Sequence, residues 1–234
     1  MNTHDQKPML DSSRSISNGV KQLEAVIFDA DGTILDTREL ARQSIEHVLT
    51  SHGYAMPSIL ELRKYGGRPA HETYGRFAPK HDSNELVTKH RAFQAERFDL
   101  FEAYEGLHDL LRALKAGGLK IGMCTNRATN VLDLLDHVGI KDEFDAIMHA
   151  DLMQNVKPHP EGILKLCENL GVEPSRSVMV GDTEADVGAG KAAGCAFTIA
   201  VTHGIGTREL LESEGADYVV DHLNDILPLV TNKT

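Results

Sequence analysis

Six short, mostly apolar runs recur along the chain, and segments long enough to form helices separate most of them. The runs are Leu23–Phe28, Lys120–Cys124, Phe144–Met148, Ser177–Val180, Ala196–Val201 and Asp217–Val220. Between them apolar residues return at helical spacing, as in Leu107, Leu110, Leu111 and Leu114. Strands that alternate with helices predict an α/β fold, in which helices cover both faces of a parallel sheet.

The stretch Thr37–Glu105 differs from the rest because it contains no strand pattern. Proline residues and a glycine pair divide it into about four helical segments. It follows the acidic turn after the first run, so a helical insertion there would lie over the strand ends. We therefore predict a small helical cap domain at 37–105, inserted into a three-layer Rossmann-like core formed by 21–36 and 106–234.

Composition narrows the function classes and the compartment. A net charge of −11 argues against nucleic acid or an anionic membrane as partner, and no apolar stretch approaches the roughly 18–20 residues of a membrane helix. Residues 1–20 have no apolar core of a secretory signal, and we predict a flexible leader there. Cys124, Cys167 and Cys195 form no disulfide-framework spacing, which predicts a cytoplasmic protein.

The first apolar run ends in two aspartates, Asp29 and Asp31, before Gly32. Side chains alternate in an extended strand, so the two carboxylates point to the same side. Two close anions repel each other, and a proton, a metal or a cation must neutralise one of them. This need fits a carboxylate nucleophile beside a general acid–base. The ordinary alternative is a solvated turn after an edge strand.

Further polar residues lie just past the ends of later runs: Thr125 with Asn126, then Lys157, then Asp182. In an open parallel sheet ligands bind at the carboxyl ends of the strands, so these residues are expected to converge on one pocket. Each has an ordinary alternative. Thr125 would cap the next helix, Lys157 would be a solvated loop residue, and Asp182 and Asp186 would cap a helix N-terminus.

Together these residues suit phosphoryl transfer, which depends on positioning and on stabilising charge. Asp29 would attack phosphorus and form an aspartyl phosphate. Asp31 would protonate the leaving oxygen and later activate water. The Thr125 hydroxyl and the backbone N–H of Asn126 would bind phosphate oxygens, and Lys157 would neutralise the nucleophile and the phosphate.

The acidic residues also suit Mg²⁺, which prefers oxygen ligands and keeps several waters. Asp29 and Asp182 would each supply a carboxylate oxygen, and Asp31 a backbone carbonyl. Asp186 lies one helical turn beyond Asp182, where it would hold a metal-bound water or Lys157.

These positions resemble the motifs of the haloacid dehalogenase superfamily. Asp29–Thr33 is similar to its first motif, Thr125 to its second, Lys157-Pro158 to its third and Gly181–Asp186 to its fourth. The resemblance extends from about Leu23 to the C-terminus. It implies a phosphatase that uses Mg²⁺, with the helical insertion as the small cap of the superfamily.

Within the superfamily, the stretches Val201–Gly204 and Gly215–Tyr218 resemble the phosphoglycolate phosphatase branch. Asp31 argues against a dehalogenase, which lacks this second acid, and against a phosphonate hydrolase, which has a small residue there. Thr33 favours a phosphatase over the sugar-phosphate mutase branch.

The cap is expected to shape the substrate tail. In the loop Tyr65–Pro69, Gly67 allows close approach of the backbone, and Arg68 would bind a carboxylate or a second phosphate. An ordinary turn with a surface arginine is the alternative. Further candidates for the role of Arg68 are Lys64, Arg76 and Arg127.

The sequence thus predicts Mg²⁺-dependent hydrolysis of a small phosphomonoester, with phosphoglycolate as the leading substrate. Pyrophosphate, nucleotide and sugar phosphates stay open as substrates. A phosphomutase and a sensor of a phosphometabolite without turnover are the rival functions. The expected partner is the small-molecule substrate alone, bound by a monomer or homodimer.

Overall fold

Six parallel strands form the central sheet of the computed structural model, which describes residues 22–231. The leader predicted for residues 1–20 lies outside the described residues. The strands of the chain, in order, are β1 Ala25–Phe28, β2 Leu35–Asp36, β3 Glu102–Ala103, β4 Lys120–Cys124, β5 Ala146–Met148, β6 Ser177–Gly181, β7 Phe197–Val201 and β8 Tyr218–Val220. The order in the sheet is β5-β4-β1-β6-β7-β8.

Helices connect the strands. In the described part of the chain they are α1 Arg38–Ser51, α2 Ile59–Arg63, α3 Ala70–Phe77, α4 Ser83–Ala95, α5 Leu107–Ala116, α6 Val131–His137, α7 Glu161–Leu170, α8 Glu184–Ala193, α9 Arg208–Ser213 and α10 Ile226–Thr231. Across residues 22–231, none of these helices has both the length and the apolar character needed to traverse a bilayer.

The side chains of β1 alternate between two cores. Val26 and Phe28 pack with helices α5, α6 and α10 on one face of the sheet, and Ala25 and Ile27 pack with α7 and α8 on the other. All four are fully buried, as expected for a strand covered on both faces. The predicted three-layer α/β fold is confirmed.

The register of the sheet sets the strand ends level with one another. Phe28, the last residue of β1, pairs with Met123 of β4 and with Val180 of β6. The residues that follow these three strands therefore meet at one edge of the sheet, where ligands of open α/β sheets bind.

Helices α1, α3 and α4 form a separate cluster with its own small core, which includes Val48, Tyr74 and Leu86. The chain enters and leaves this cluster through β2 and β3, which pair antiparallel with each other. We predicted no strand between Thr37 and Glu105, and β3 corrects that prediction. The strand has two residues, too few for a period-2 pattern. The domain boundaries themselves remain a prediction.

Close packing of α8 on the sheet depends on Gly190. A Cβ atom there would lie 2.7 Å from Thr198 Cγ2 and 2.8 Å from Met179 Cβ, both on strands. Gly75 of α3 offers the opposite case, because a Cβ atom there would meet nothing within 4 Å.

The same substitution should therefore change stability in opposite directions at these two glycines. Gly190→Ala should lower the free energy of unfolding by about 1–3 kcal/mol, because the added methyl group overpacks the interface. Gly75→Ala should raise it by about 0.5–1 kcal/mol through helix propensity. Urea denaturation of both variants measures the two shifts, and a stabilised Gly190→Ala would contradict the packing argument.

Candidate active site

Lys157 lies at the edge of the sheet formed by the carboxyl ends of the strands, between two buried carboxylates. Its Nζ atom is 2.6 Å from Asp29 Oδ1 and 2.6 Å from Asp186 Oδ1. Lys157 is 4% exposed, Asp29 7% and Asp186 1%. Both ordinary alternatives from the sequence, a solvated turn at Asp29 and a solvated loop lysine, are therefore wrong.

Asp182 is fully buried and bound on both oxygens. The Thr33 hydroxyl donates to its Oδ1 at 3.1 Å, and the backbone N–H of Ile205 donates to its Oδ2 at 2.9 Å. Two glycines allow this enclosure. A Cβ atom added to Gly32, which has φ +77°, would lie 2.4 Å from Asp182 Oδ2. A Cβ atom added to Gly204 would lie 2.1 Å from the same oxygen.

Asp186 performs the capping role that the sequence left as an alternative, and it also reaches the floor of the site. The backbone N–H and the hydroxyl of Thr183 donate to Asp186 Oδ2 at 3.0 Å and 2.6 Å. This arrangement begins α8 and leaves Oδ1 for Lys157. The cap of the helix thus fixes the carboxylate that the lysine binds.

Three of the buried carboxylates, those of Asp29, Asp182 and Asp186, have oxygens within 4.8 Å of one another. Burial raises the pKa of Asp29 to about 7, because the effect of Lys157 does not outweigh desolvation. Burial and the two neighbouring carboxylates raise the pKa of Asp182 well above its usual range. When all three are ionised, Lys157 leaves two negative charges uncompensated. The carboxylate oxygens and the excess negative charge of this group suit a divalent cation that prefers oxygen ligands.

Asp31 points to a different partner, Arg127. The Arg127 Nε atom is 2.8 Å from Asp31 Oδ2, its Nη2 atom is 2.7 Å from Oδ1, and the Thr37 hydroxyl donates to Oδ1 at 2.7 Å. Burial raises the pKa of Asp31, but the Arg127 guanidinium and these hydrogen bonds outweigh it and hold the pKa below its usual range. The side chain of Asp31 is therefore a carboxylate here.

Thr125 and Asn126 follow β4 at the same edge. Thr125 is 1% exposed and lies too far before α6 to cap it, so that alternative is wrong. The Asn126 side chain donates to the Gly67 carbonyl at 2.8 Å and to the Lys157 carbonyl at 2.9 Å. Its backbone N–H has no hydrogen-bond acceptor among the described residues. The side chain therefore connects the loops at Gly67 and Lys157.

A cavity of about 770 Å³ lies between the helical cluster and these strand ends. Its lining includes Asp29, Asp31, Lys157 and Asp182. Arginines dominate the remaining charged part of the lining: Arg38, Arg42, Arg63, Arg68, Arg91 and Arg127. Arg63 and Arg91 have no ion pair among the described residues. In a protein of net charge −11, this local excess of cations favours an anionic ligand.

The cap loop contributes less directly than the sequence suggested. Gly67 lines the cavity and has φ +72°. The loop lies so close to Thr183 that a Cβ atom at Gly67 would be 3.1 Å from Thr183 Cγ2. Arg68 also lines the cavity, but its side chain is 55% exposed and pairs with Glu72 at 3.4 Å. Of the further candidates, only Arg127 lines the cavity, and Lys64 and Arg76 do not.

Two features of the site were missed in the sequence. Arg127 was one candidate among several, and nothing in its local sequence pointed to Asp31. The stretch Val201–Gly204 was taken as a mark of a subfamily, whereas here Gly204 and the following Ile205 enclose Asp182. Gly204, which follows the end of β7, was the signal available for that contact, because a glycine lets another group approach the backbone closely.

Sequence comparison places the chain among known hydrolases. The family model of haloacid dehalogenase-like hydrolases matches residues 26–200. The pyrophosphatase PpaX of Bacillus cereus is 32% identical over 213 residues, which cover 90% of this chain and 98% of that protein. PpaX of Bacillus mycoides is 34% identical over 212 residues, with the same coverage of both chains.

Solved structures agree with this grouping. A predicted phosphoglycolate phosphatase from Haemophilus somnus superposes with a TM-score of 0.80 at 25% identity, covering 90% of this chain and 99% of that one. A β-phosphoglucomutase from Clostridium difficile superposes with a TM-score of 0.78 at 25% identity, covering 91% and 98%. With the matched motifs, the fold and the family model in agreement, the chain belongs to the haloacid dehalogenase-like hydrolases and is a phosphatase of that family.

Proposed function

We propose that the protein is a Mg²⁺-dependent phosphatase that transfers a phosphoryl group first to Asp29 and then to water. The observation that carries the proposal is the Lys157 ammonium held 2.6 Å from both Asp29 and Asp186, at the floor of an arginine-lined cavity. A buried carboxylate held in one orientation by a cation is prepared to act as a nucleophile.

In the first step an oxygen of Asp29 forms a bond to phosphorus, and the bond from phosphorus to the leaving oxygen breaks. Lys157 holds Asp29 Oδ1, which fixes the orientation of the carboxylate. Asp31 takes up a proton from solvent before this step, gives that proton to the leaving oxygen and becomes a carboxylate. The Thr125 hydroxyl and the Asn126 N–H bind oxygens of the transferring group. The product of this step is an aspartyl phosphate on Asp29.

In the second step water attacks the phosphorus of the aspartyl phosphate, Asp31 takes the proton of that water, and the bond between Asp29 and phosphorus breaks. The carboxylate form of Asp31, which Arg127 and Thr37 hold in this structure, is the form that accepts a proton. Inorganic phosphate leaves, and Asp29 returns to its starting state.

Asp29, Asp182 and Asp186 would hold the metal, together with the backbone carbonyl of Asp31. When bound, Mg²⁺ supplies positive charge that neutralises the oxygens of the transferring phosphoryl group. The raised pKa values of Asp29 and Asp182 support this assignment, since a cation would restore their ionised forms.

For the substrate we propose a small phosphate compound with a second anionic group, and we rank inorganic pyrophosphate before phosphoglycolate. The relatives named pyrophosphatase, at 32–34% identity, support pyrophosphate. The structural neighbour named for phosphoglycolate and the stretch Val201–Gly204 support the second choice. Both substrates place an anion beyond the transferring phosphoryl group, where the arginines of the cavity would bind it.

A phosphomutase is the second candidate, because one structural neighbour is a β-phosphoglucomutase. Thr33 counts against a mutase. Mutases often have an apolar residue at this position, which could not donate the hydrogen bond that the Thr33 hydroxyl makes to Asp182. A cytoplasmic location stays a prediction that rests on the unpaired Cys124, Cys167 and Cys195.

Asp29→Asn should reduce phosphate release to below about one-thousandth of the wild-type rate, because an amide is a poor nucleophile. Phosphate release under saturating substrate measures the loss. Asp133→Asn, at an exposed carboxylate of α6, is the matched control and should retain full activity. Turnover near the wild-type rate in Asp29→Asn would refute the covalent mechanism.

Asp182→Asn should raise the Mg²⁺ concentration for half-maximal activity by about 10-fold or more, because a buried anionic ligand is lost. Calorimetric titration of Mg²⁺ into the protein should give a parallel weakening. Glu184→Gln, at the exposed neighbouring acid, should leave both curves unchanged. Equal Mg²⁺ affinity in Asp182→Asn and wild type would remove Asp182 from the metal site.

A substrate panel tests the proposed specificity. The kcat/KM for pyrophosphate should exceed that for p-nitrophenyl phosphate by about 100-fold, which is about 2.7 kcal/mol of transition-state binding. Phosphoglycolate should lie between the two. Equal values would mean that the arginines do not select a second anion. A phosphoryl group retained on a sugar product would identify a mutase, and a complete lack of turnover would favour the sensor.

A further inference from the structure

A chain of buried and half-buried polar side chains leads from the helical cluster to the strand-end edge of the sheet. The Tyr74 hydroxyl is 2.8 Å from His90 Nδ1, and His90 Nε2 is 2.9 Å from Gln94 Nε2. Gln94 Oε1 is 2.6 Å from Arg127 Nη1 and 3.3 Å from Asn130 Nδ2. The chain joins α3 and α4 to the loop that follows β4.

The direction of every hydrogen bond in this chain follows from Arg127, because a guanidinium only donates. Gln94 Oε1 accepts from Arg127 and from Asn130, so the amide nitrogen of Gln94 faces His90 and donates to its Nε2. His90 then carries its proton on Nδ1 and donates to the Tyr74 hydroxyl. Burial lowers the pKa of His90 to about 3, which keeps the ring neutral as this pattern requires.

The middle of this chain of side chains is shielded from water. Gln94 is 2% exposed, and the Arg127 side chain is 10% exposed. A buried amide without partners is destabilising, and here both ends of the Gln94 amide are bound. The guanidinium of Arg127 is fixed on two sides, since Nη1 is held by Gln94 while Nε and Nη2 grip Asp31.

We propose that Gln94 is a positioning residue that acts through Arg127 on the Asp31 carboxylate. Gln94 lies on α4 of the helical cluster, and Asp31 follows the first strand of the sheet. The hydrogen bond from Arg127 to Gln94 thus links the orientation of the helical cluster to the placement of the acid–base group. The kinetic part of this inference rests on the proposed phosphatase function.

A double-mutant cycle tests whether Gln94 acts through Arg127. Gln94→Leu should lower kcat by about 10-fold and Arg127→Met by about 100-fold. The effect should fall on kcat, because the hydrogen-bonded side chains end at Asp31, the proposed acid–base group. The double variant should be no more than about 2-fold below Arg127→Met. An unchanged kcat in Gln94→Leu, or a multiplied loss of about 1,000-fold in the double variant, would overturn the proposal.

A spectroscopic measurement separates this inference from the proposed function. Exchange of the Arg127 Nε–H proton with water, followed by NMR on arginine-labelled protein, should be at least about 10-fold faster in Gln94→Leu. Leu86→Val is the matched control, because Leu86 lies on α4 in the core of the helical cluster and makes no side-chain hydrogen bond to the chain. Its exchange should equal that of wild type. If the wild-type protein lacks phosphatase activity, the exchange measurement alone tests whether Gln94 positions Arg127. Equal exchange in Gln94→Leu and Leu86→Val would overturn the proposal.

Discussion

The two ion pairs of Lys157 are the interaction on which the candidate active site depends. A charged ammonium and two carboxylates are buried at a strand end, and such charges are tolerated only when they satisfy one another. Lys157 binds Asp29 and Asp186 at equal distances of 2.6 Å and leaves Asp182 beside them. The negative charge that remains suits the site to a divalent cation.

Close approach of loops turns this charge cluster into an enclosed site. Gly32 and Gly204 let the backbone pass against Asp182, and Asn126 ties the cap loop at Gly67 to the Lys157 loop. Arg127 connects the strand ends to the helical cluster, since it donates hydrogen bonds to Asp31 and to Gln94 of α4. The helical cluster is therefore connected to the catalytic edge through specific hydrogen bonds as well as through the chain.

Local patterns in the sequence predicted the sheet and the residues at its edge, because strand periodicity and the residues after each strand are local properties. The pairing of Asp31 with Arg127 spans 96 residues, and that of Gln94 with Arg127 spans 33. Such contacts exist only once the helices lie over the sheet, so no local pattern encodes them. β3 escaped prediction for the same reason, since its pairing with β2 defines it. Arg68 was chosen for its loop, and its pairing with Glu72 depends on α3 beginning at Ala70, just after that loop.

The central claim is that Asp29 carries the phosphoryl group between the two steps. Rapid acid quench during turnover of pyrophosphate, followed by mass spectrometry of the digested protein, tests it most directly. The account predicts a transient phosphoryl group on the peptide that contains Asp29, formed in the first turnover and lost as substrate is exhausted. Steady phosphate release with every peptide unmodified at all quench times, or with the label on another residue, would contradict it.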